Sequence, residues 1–378
     1  MEFSYHNPTA IEFGKDKIKA ITNFIDKSAR VLVVYGGGSV KKNGSFEQVS
    51  KALDGYEWFE FSGVEPNPTV ETMNKAVEIV KEKNIDFVLA LGGGSVIDGC
   101  KYLVASALYD GDGWDFLDGK AEVKKALPLG VVLTLPATGS ESNQASVVSK
   151  KSTDEKRFFF SPLVQPNFAI LDPSFISTLS DRQLANGLVD AFVHICEQYL
   201  TYPTTSLVND GYSETLLKGL VKLASSWEER RDLKWQENLM FIANQALNGL
   251  IGVGVPQDWA THFIGHELTA FYGIDHARSL AVVQPQLLRV MSESKKEKIA
   301  QMGREVFNIE NSNESVIEAI ESLYQSVGIS TNLNDYDIDD KVIEKIIPAL
   351  KKHGMGTIGE KGEITLEKSE QILKMTMR

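Results

Sequence analysis

The first half of the chain alternates short, continuously apolar runs with helical stretches, and two of those runs end in the same turn, GGGS. ARVLVVY (29–35) reads as a buried strand and runs into Gly36-Gly37-Gly38-Ser39. FVLALGGGS (87–95) repeats the pattern, and VIDGCKYLVASAL continues it as a helix. Residues 44–54 and 69–84 carry helical periodicity, EWFEF (57–61) reads as another strand, and LPLGVVLTLPATGSES reads as a strand ending in a loop of small residues. Strands that are apolar on both faces and alternate with helices predict a parallel sheet covered on both sides.

Near LDPSFISTLSDRQ (171–183) the texture changes. Ser180 or Asp181 suits a helix N-cap. Beyond it, segments 205–226, 234–250, 258–271, 279–292, 294–306, 312–327 and 339–352 carry apolar residues at three-four spacing. The expectation is an α/β domain over residues 1–179 and an all-helical domain over 180–378, packed closely with the ligand cleft between them.

The helical half holds most of the histidine. Of six His, three fall in WATHFIGHELTAFYGIDHARS (His262, His266 and His276), and LANGLVDAFVHICEQ sets Asp190 four residues before His194. Residues at i and i+4 share one helix face, so each pair can aim two groups at one point. One such pair is ordinarily a satisfied polar pair; two pairs and a further His point to a divalent ion. Imidazole with carboxylate suits zinc or ferrous iron better than calcium or magnesium. The order is not HExxH, because Phe263 and Ile264 follow His262, which disfavours a zinc protease.

Composition narrows the field. A chain of 378 residues is long enough for two domains, and 43% apolar with 24% charged residues is an ordinary globular profile. A net charge of −12 without a long basic run argues against nucleic acid or an anionic membrane as partner. No apolar run approaches the ~18–20 residues that span a bilayer, and MEFSYHNPTAIEFGKDKIK has neither a signal core nor a transit pattern. Cys100 and Cys196 fall inside predicted helices, as small hydrophobes in a reducing compartment do. A cytoplasmic location is expected.

A glycine turn between strand and helix lets a pyrophosphate approach the backbone at a helix N-terminus. Neither turn is a true G-x-G-x-x-G, but there are two. With Asp98 after the second, and Thr134 and Thr138 in TLPATGSE, they form a candidate dinucleotide cradle. GGGSVIDGCK, TLPATGSE, Asp190-x-x-x-His194 and His262-x-x-x-His266 followed by His276 resemble, end to end, the iron-containing (group III) alcohol dehydrogenases. GVPQDWATHFIGHELTA and YGGGSVKKNG are most similar to the butanol dehydrogenase and NADPH-dependent aldehyde reductase branch.

The resemblance implies a Rossmann-like domain followed by a helical one, as in dehydroquinate synthase-like architectures. It implies Asp190, His194, His262 and His276 as ligands of one divalent ion, Fe(II) or Zn(II). His266 would stand beside the ion, on the substrate side or as a proton relay, so His266 and His276 are the catalytic candidates. Gly37, Gly38, Ser39, Gly93, Gly94, Ser95, Asp98, Thr134, Thr138 and Lys156 match the cofactor-contacting region, and Asn143, just past the third loop, is a further candidate there or for the substrate pocket. The common family form of that loop reads PTTAGTGSE, where this chain has LTLPATGSE. A homodimer is the family expectation.

Many members carry Asp where this chain has Ser39. That carboxylate binds the ribose 2′-hydroxyl of NAD and repels a 2′-phosphate. Ser39 removes the repulsion and Lys41 adds positive charge nearby, so NADP(H) is expected; Glu57 or Glu60 on the second strand is the alternative carboxylate. The expected chemistry is hydride transfer between primary alcohols, such as butanol, and aldehydes. Trp259, three residues before His262, would share its helix face and line the substrate pocket or the core. Phe263, Ile264 and Phe271 would favour medium-chain or aromatic aldehydes or serve helix packing. Two rivals stay open: a dehydroquinate synthase-like or glycerol phosphate dehydrogenase-like enzyme, which needs basic residues where only Arg278 lies close, and a non-catalytic nucleotide- or metal-binding protein.

Overall fold

The computed structural model describes residues 2–377, which divide into two compact units. The first comprises residues 6–179 with 231–244; the second comprises 180–230 and 245–377 with 2–5.

In the first unit the strands are β1 (Ala10–Phe13), β2 (Arg30–Tyr35), β3 (Glu57–Phe61), β4 (Phe87–Gly93), β5 (Leu129–Leu135), β6 (Ala145–Lys150), β7 (Glu155–Phe160) and β8 (Phe168–Leu171). Between them lie α1 (Ser39–Lys42), α2 (Ser45–Ala52), α3 (Val70–Lys83), α4 (Gly94–Ser106) and α5 (Trp114–Leu117). Six strands form one wholly parallel sheet in the order β1-β8-β5-β4-β2-β3, and β6 and β7 make a separate antiparallel hairpin. Both faces are covered: Val31 and Val33 point one way, Leu32 and Val34 the other, and all four are fully buried. One face packs with Ile18, Ile21, Val49 and Leu53. The continuous apolar strands read in the sequence are therefore the centre of the sheet.

After β3 the chain returns to place β4 on the other side of β2. The order of winding thus reverses between β2 and β4, and at the carboxyl ends of these two strands lie the two GGGS turns. Ligands of open α/β sheets bind at such a switch point.

The second unit contains α6 (Asp181–Tyr199), α7 (Leu207–Ser225), α9 (Ala260–Tyr272), α10 (His276–Val290), α11 (Lys296–Met302), α12 (Asn313–Ser326), α13 (Val342–Lys352) and α14 (Leu366–Met375). Most of α8 (Leu233–Ala246) belongs to the first unit. Two-residue strands β9 (Thr357–Ile358) and β10 (Ile364–Thr365) pair antiparallel. Ser180, not Asp181, caps α6: its hydroxyl accepts from the N–H of Gln183, whose side chain reaches back to the Ser180 N–H. From Leu184 to Tyr199 nearly every α6 residue is buried, so α6 is the central helix of its unit. No helix among the described residues is long and apolar enough to cross a membrane.

Candidate metal centre and coenzyme loops

Four sequence candidates meet in the helical unit. Asp190 and His194 project from α6, His262 from the first turn of α9, and His276 opens α10. Donor atoms of Asp190, His194 and His262 lie within 4.8 Å of one another. Nε2 of His276 stands 3.8 Å from Asp190 Oδ1, and Nε2 of His194 stands 3.9 Å from the same oxygen. The His194 and His262 rings stack with centroids 4.7 Å apart, and the His262 and His276 rings cross at 5.1 Å. His266 joins the edge of this group, 5.0 Å from His276 and 5.9 Å from His262, ring centre to ring centre. α9 and α10 can approach closely because residue 265 is glycine: a Cβ there would sit 2.8 Å from Leu280 Cδ2.

Glu197 escaped the sequence reading. Its Oε1 accepts the backbone N–H of Thr261 at 2.7 Å and of His262 at 3.3 Å, while Oε2 meets His262 Nδ1. With Nδ1 so engaged, Nε2 is the nitrogen of His262 that would carry an ion, the usual carboxylate–histidine–metal arrangement. Burial, followed by the charge of Asp258, raises the Glu197 carboxyl well above its ordinary range, and the two backbone N–H groups act against that rise. The signal was present in the sequence: Asp190, His194 and Glu197 are spaced i, i+4, i+7 on one helix face. Asp258 secures the same end of α9, accepting from Ala260 N at 2.9 Å and pairing with buried Lys295 at 2.7 Å.

Trp259 is not on the helix face expected of it. It lies just before α9 with φ +62°, in the left-handed region, and its ring centre stands 5.3 Å from that of His262 and 6.2 Å from that of His194. A non-glycine residue in this region stores strain, so Trp259 is held there by its surroundings, including a 2.8 Å bond from Nε1 to Gln257 Oε1. Ile264 is buried in the core, whereas Phe271 is partly exposed near the end of α9.

Most of the coenzyme candidates cluster at the carboxyl ends of adjacent strands β2, β4 and β5, while Lys156 lies on β7. Around Gly37 and Gly38 a Cβ would meet nothing within 4 Å, and Ser39 begins α1. Gly93 ends β4 and Gly94 starts α4, where a Cβ would fall 2.5 Å from Thr138 Oγ1. The second and third loops are thus packed on each other at Gly94 and Thr138. Ser95 and Lys156 are brought together through Asn67: Ser95 Oγ accepts its N–H at 3.3 Å, and Lys156 Nζ donates to its Oδ1 at 2.9 Å. Thr134 is buried near the end of β5.

Asp98 and Asn143 lie deeper, around Lys101. Lys101 Nζ donates to Ser140 Oγ (2.8 Å), Asn143 Oδ1 (2.9 Å) and Ala145 O (2.7 Å), and Asp98 accepts from Ser140 Oγ (2.5 Å) and Val147 N (3.2 Å). Burial raises the Asp98 carboxyl and, against the pull of Asp98 and Glu141, pushes Lys101 down to about 8. Lys101, Ser140 and Asn67 were not singled out in the sequence; a lysine amid Val96, Ile97, Cys100, Tyr102 and Leu103 was the available clue. Glu60 accepts from Tyr35 Oη at 2.7 Å and from Lys41 Nζ at 3.3 Å, so the Lys41 charge is partly engaged.

A parallel sheet with glycine turns at its switch point, and a helical unit gathering Asp and His donors, mark a class of nucleotide- and metal-binding proteins. Comparison with known proteins makes the class specific. Residues 8–173 match the family model for iron-containing alcohol dehydrogenase, and residues 184–377 match that for the C-terminal part of the Fe-containing alcohol dehydrogenase family. The chain belongs to the iron-containing alcohol dehydrogenase family. It is 46% identical over 379 residues to the NADPH-dependent aldehyde reductase YqhD of Escherichia coli, covering 98% of each chain. It is 39% identical to the probable NADH-dependent butanol dehydrogenase 1 of Bacillus subtilis, covering 99% of each. The crystal structure of E. coli YqhD superposes with a TM-score of 0.97 at 46% identity, over 99% of this chain and 98% of that one. The NADH-dependent butanol dehydrogenase A of Thermotoga maritima gives 0.95 at 34% identity, over 100% and 99%. The protein is an alcohol/aldehyde oxidoreductase with a nucleotide cofactor and a metal site.

Proposed function

We infer that the chain interconverts apolar aldehydes and primary alcohols with NADP(H), on one divalent ion held by Asp190, His194, His262 and His276. The carrying observation is the convergence of three buried donors within 4.8 Å of one another, with His276 Nε2 3.8 Å from Asp190 Oδ1. An aspartate and three imidazoles fit Fe(II) and Zn(II) alike. When bound, the ion supplies Lewis acidity to the carbonyl oxygen and the coenzyme supplies the hydride.

The remaining work falls to side chains. Asp190 and the three imidazoles orient the site, Glu197 holds His262 by ring and backbone, and Trp259 gives the ligand rings an apolar neighbour suited to an uncharged substrate. His266, in ring contact with His262 and His276, donates the proton that the new hydroxyl requires. The segments at the carboxyl ends of β2, β4 and β5, with Gly37, Gly38, Ser39, Gly93, Gly94, Ser95, Thr134 and Thr138, bind the dinucleotide together with Lys156 of β7, while Asp98 and Asn143 act with Lys101 to hold the third loop in shape. The lack of a carboxylate at Ser39 favours NADP(H); the relatives' printed names include both coenzymes. A cytoplasmic homodimer completes the reading by family analogy.

The test is consumption of NADPH and of NADH by metal-loaded protein with butyraldehyde, repeated after chelation. Turnover with NADPH that chelation abolishes is expected. Faster turnover with NADH overturns the coenzyme assignment alone, and no turnover in protein shown to hold metal overturns the reaction.

A further inference from the structure

We propose that Asp275 is a positioning residue for the metal centre: through Arg182 and Asn186 it sets where His276, the most exposed of the four proposed ligands, stands. This rests on the four-ligand reading above and adds a division of labour among the ligands.

Three of the proposed ligands are buried and the fourth is not. The side chains of Asp190, His194 and His262 are 4%, 4% and 8% exposed, against 23% for His276. His276 is the first residue of α10 and directly follows Asp275, so a hold on Asp275 acts on the backbone that carries its ring. Asp275 occupies the N-cap, where an aspartate ordinarily turns back to accept from its own helix, yet its side chain makes no capping bond. The carboxylate reaches instead to α6: Oδ2 accepts from Arg182 Nε at 2.6 Å and from Asn186 Nδ2 at 2.8 Å, with Arg278 Nε at 3.6 Å.

The register along α6 gives the clamp its meaning. Asn186, Asp190, His194 and Glu197 follow at intervals of four, four and three, along one helix face. The two middle residues are ligands. The outer two hold the helices that bring the other ligands: Glu197 holds α9 at His262, and Asn186 holds α10 at Asp275. A helix N-cap stabilised only locally would leave His276 free to swing with the short link from Gly273 to Asp275; tying that link to the helix that bears Asp190 fixes it relative to the ion.

The experiment uses Co(II) as probe, with affinity measured by chelator competition and geometry read from the visible absorption bands. Asp275→Ala should weaken Co(II) binding by about tenfold or more, as loss of a partner that orients a ligand does. It should also alter the bands and leave the melting temperature of the metal-free protein nearly unchanged. Asp275→Asn, which keeps an acceptor for Asn186, should recover part of the loss. Combining Asp275→Ala with His276→Ala should bind no more weakly than His276→Ala alone, since one acts through the other. If Asp275→Ala does not fold, the Arg182→Ala/Asn186→Ala pair removes the clamp from its other side and should give the same loss. Wild-type affinity and bands in a clamp variant, or additive losses in the combined variant, overturn the proposal. Failure of the wild-type protein to bind Co(II) overturns the four-ligand reading itself, and this inference with it.

Discussion

Glu197 grips His262 twice, accepting its backbone N–H at 3.3 Å through Oε1 and meeting its ring Nδ1 through Oε2. The first contact places the start of α9, and the second determines which nitrogen of His262 faces the other ligands. Glu197→Gln keeps an oxygen for the backbone but offers an amide N–H to Nδ1, which drives the ring proton to Nε2 and blocks that nitrogen as a ligand. Metal affinity should fall by roughly 10–100-fold, as orienting partners of ligating histidines do. Titration with Zn(II) against a competing chelator checks this; unchanged affinity would remove Glu197 from the site.

Gly94 should tolerate no side chain. An alanine Cβ would fall 2.5 Å from Thr138 Oγ1 and 2.6 Å from its Cγ2, prying the second and third coenzyme loops apart. Overpacking of this kind costs ~1–3 kcal/mol. Gly94→Ala should lower the melting temperature and raise KM for the coenzyme more than it lowers kcat. Adding Thr138→Ala, which removes both clashing atoms, should restore much of the lost melting temperature; a double variant as unstable as the single one would mean that the contact is not the cause.

The coenzyme choice can be tested at two positions. Ser39→Asp restores a carboxylate that repels a 2′-phosphate and should shift the ratio of kcat/KM values toward NADH by about tenfold, or ~1.4 kcal/mol. Glu60→Gln removes the partner of Lys41 and should lower KM for NADPH while leaving NADH nearly unaffected. Ratios that do not move in either variant would place the discrimination elsewhere.

Lys101 predicts a pH dependence. Burial lowers it from 10.5 to about 8 in the folded chain, so between these values the unfolded chain binds more protons. Stability from this group is fully present above pH 10.5 and is lost as pH falls through about 8. Other groups titrate in the same window, so the comparison is between wild type and Lys101→Met. From pH 8 to 10 the wild type should gain stability relative to the variant, with an upper bound on the order of 3 kcal/mol. Parallel urea-denaturation curves across that range would show that Lys101 carries no such linkage.

Three of the strands that the sequence made legible, β2, β4 and β5, are buried almost throughout and fall where continuous apolar runs place them; β3, an edge strand with no fully buried residue, falls at EWFEF as expected. β1 and β8 are four residues each, AIEF and FAIL, too short for a periodic signal, and long-range parallel pairing alone makes them strands. α9 begins after Trp259 instead of including it, because the left-handed backbone there depends on neighbours distant in sequence.

Ligand spacing is a local property. Four residues along a helix return to one face, so the pairing of Asp190 with His194 and of His262 with His266 was determined by sequence alone, as were the apolar strands and their glycine turns. Which histidine of the second pair points at Asp190, and how His276 joins, depends on how α6, α9 and α10 cross, on Gly265 permitting their approach, and on Glu197 and Asp275 bridging residues 65 and 89 positions away. Those partners carry no signature of their own. A buried carboxylate acquires its function only when packing decides which donors surround it, and that decision belongs to the tertiary structure.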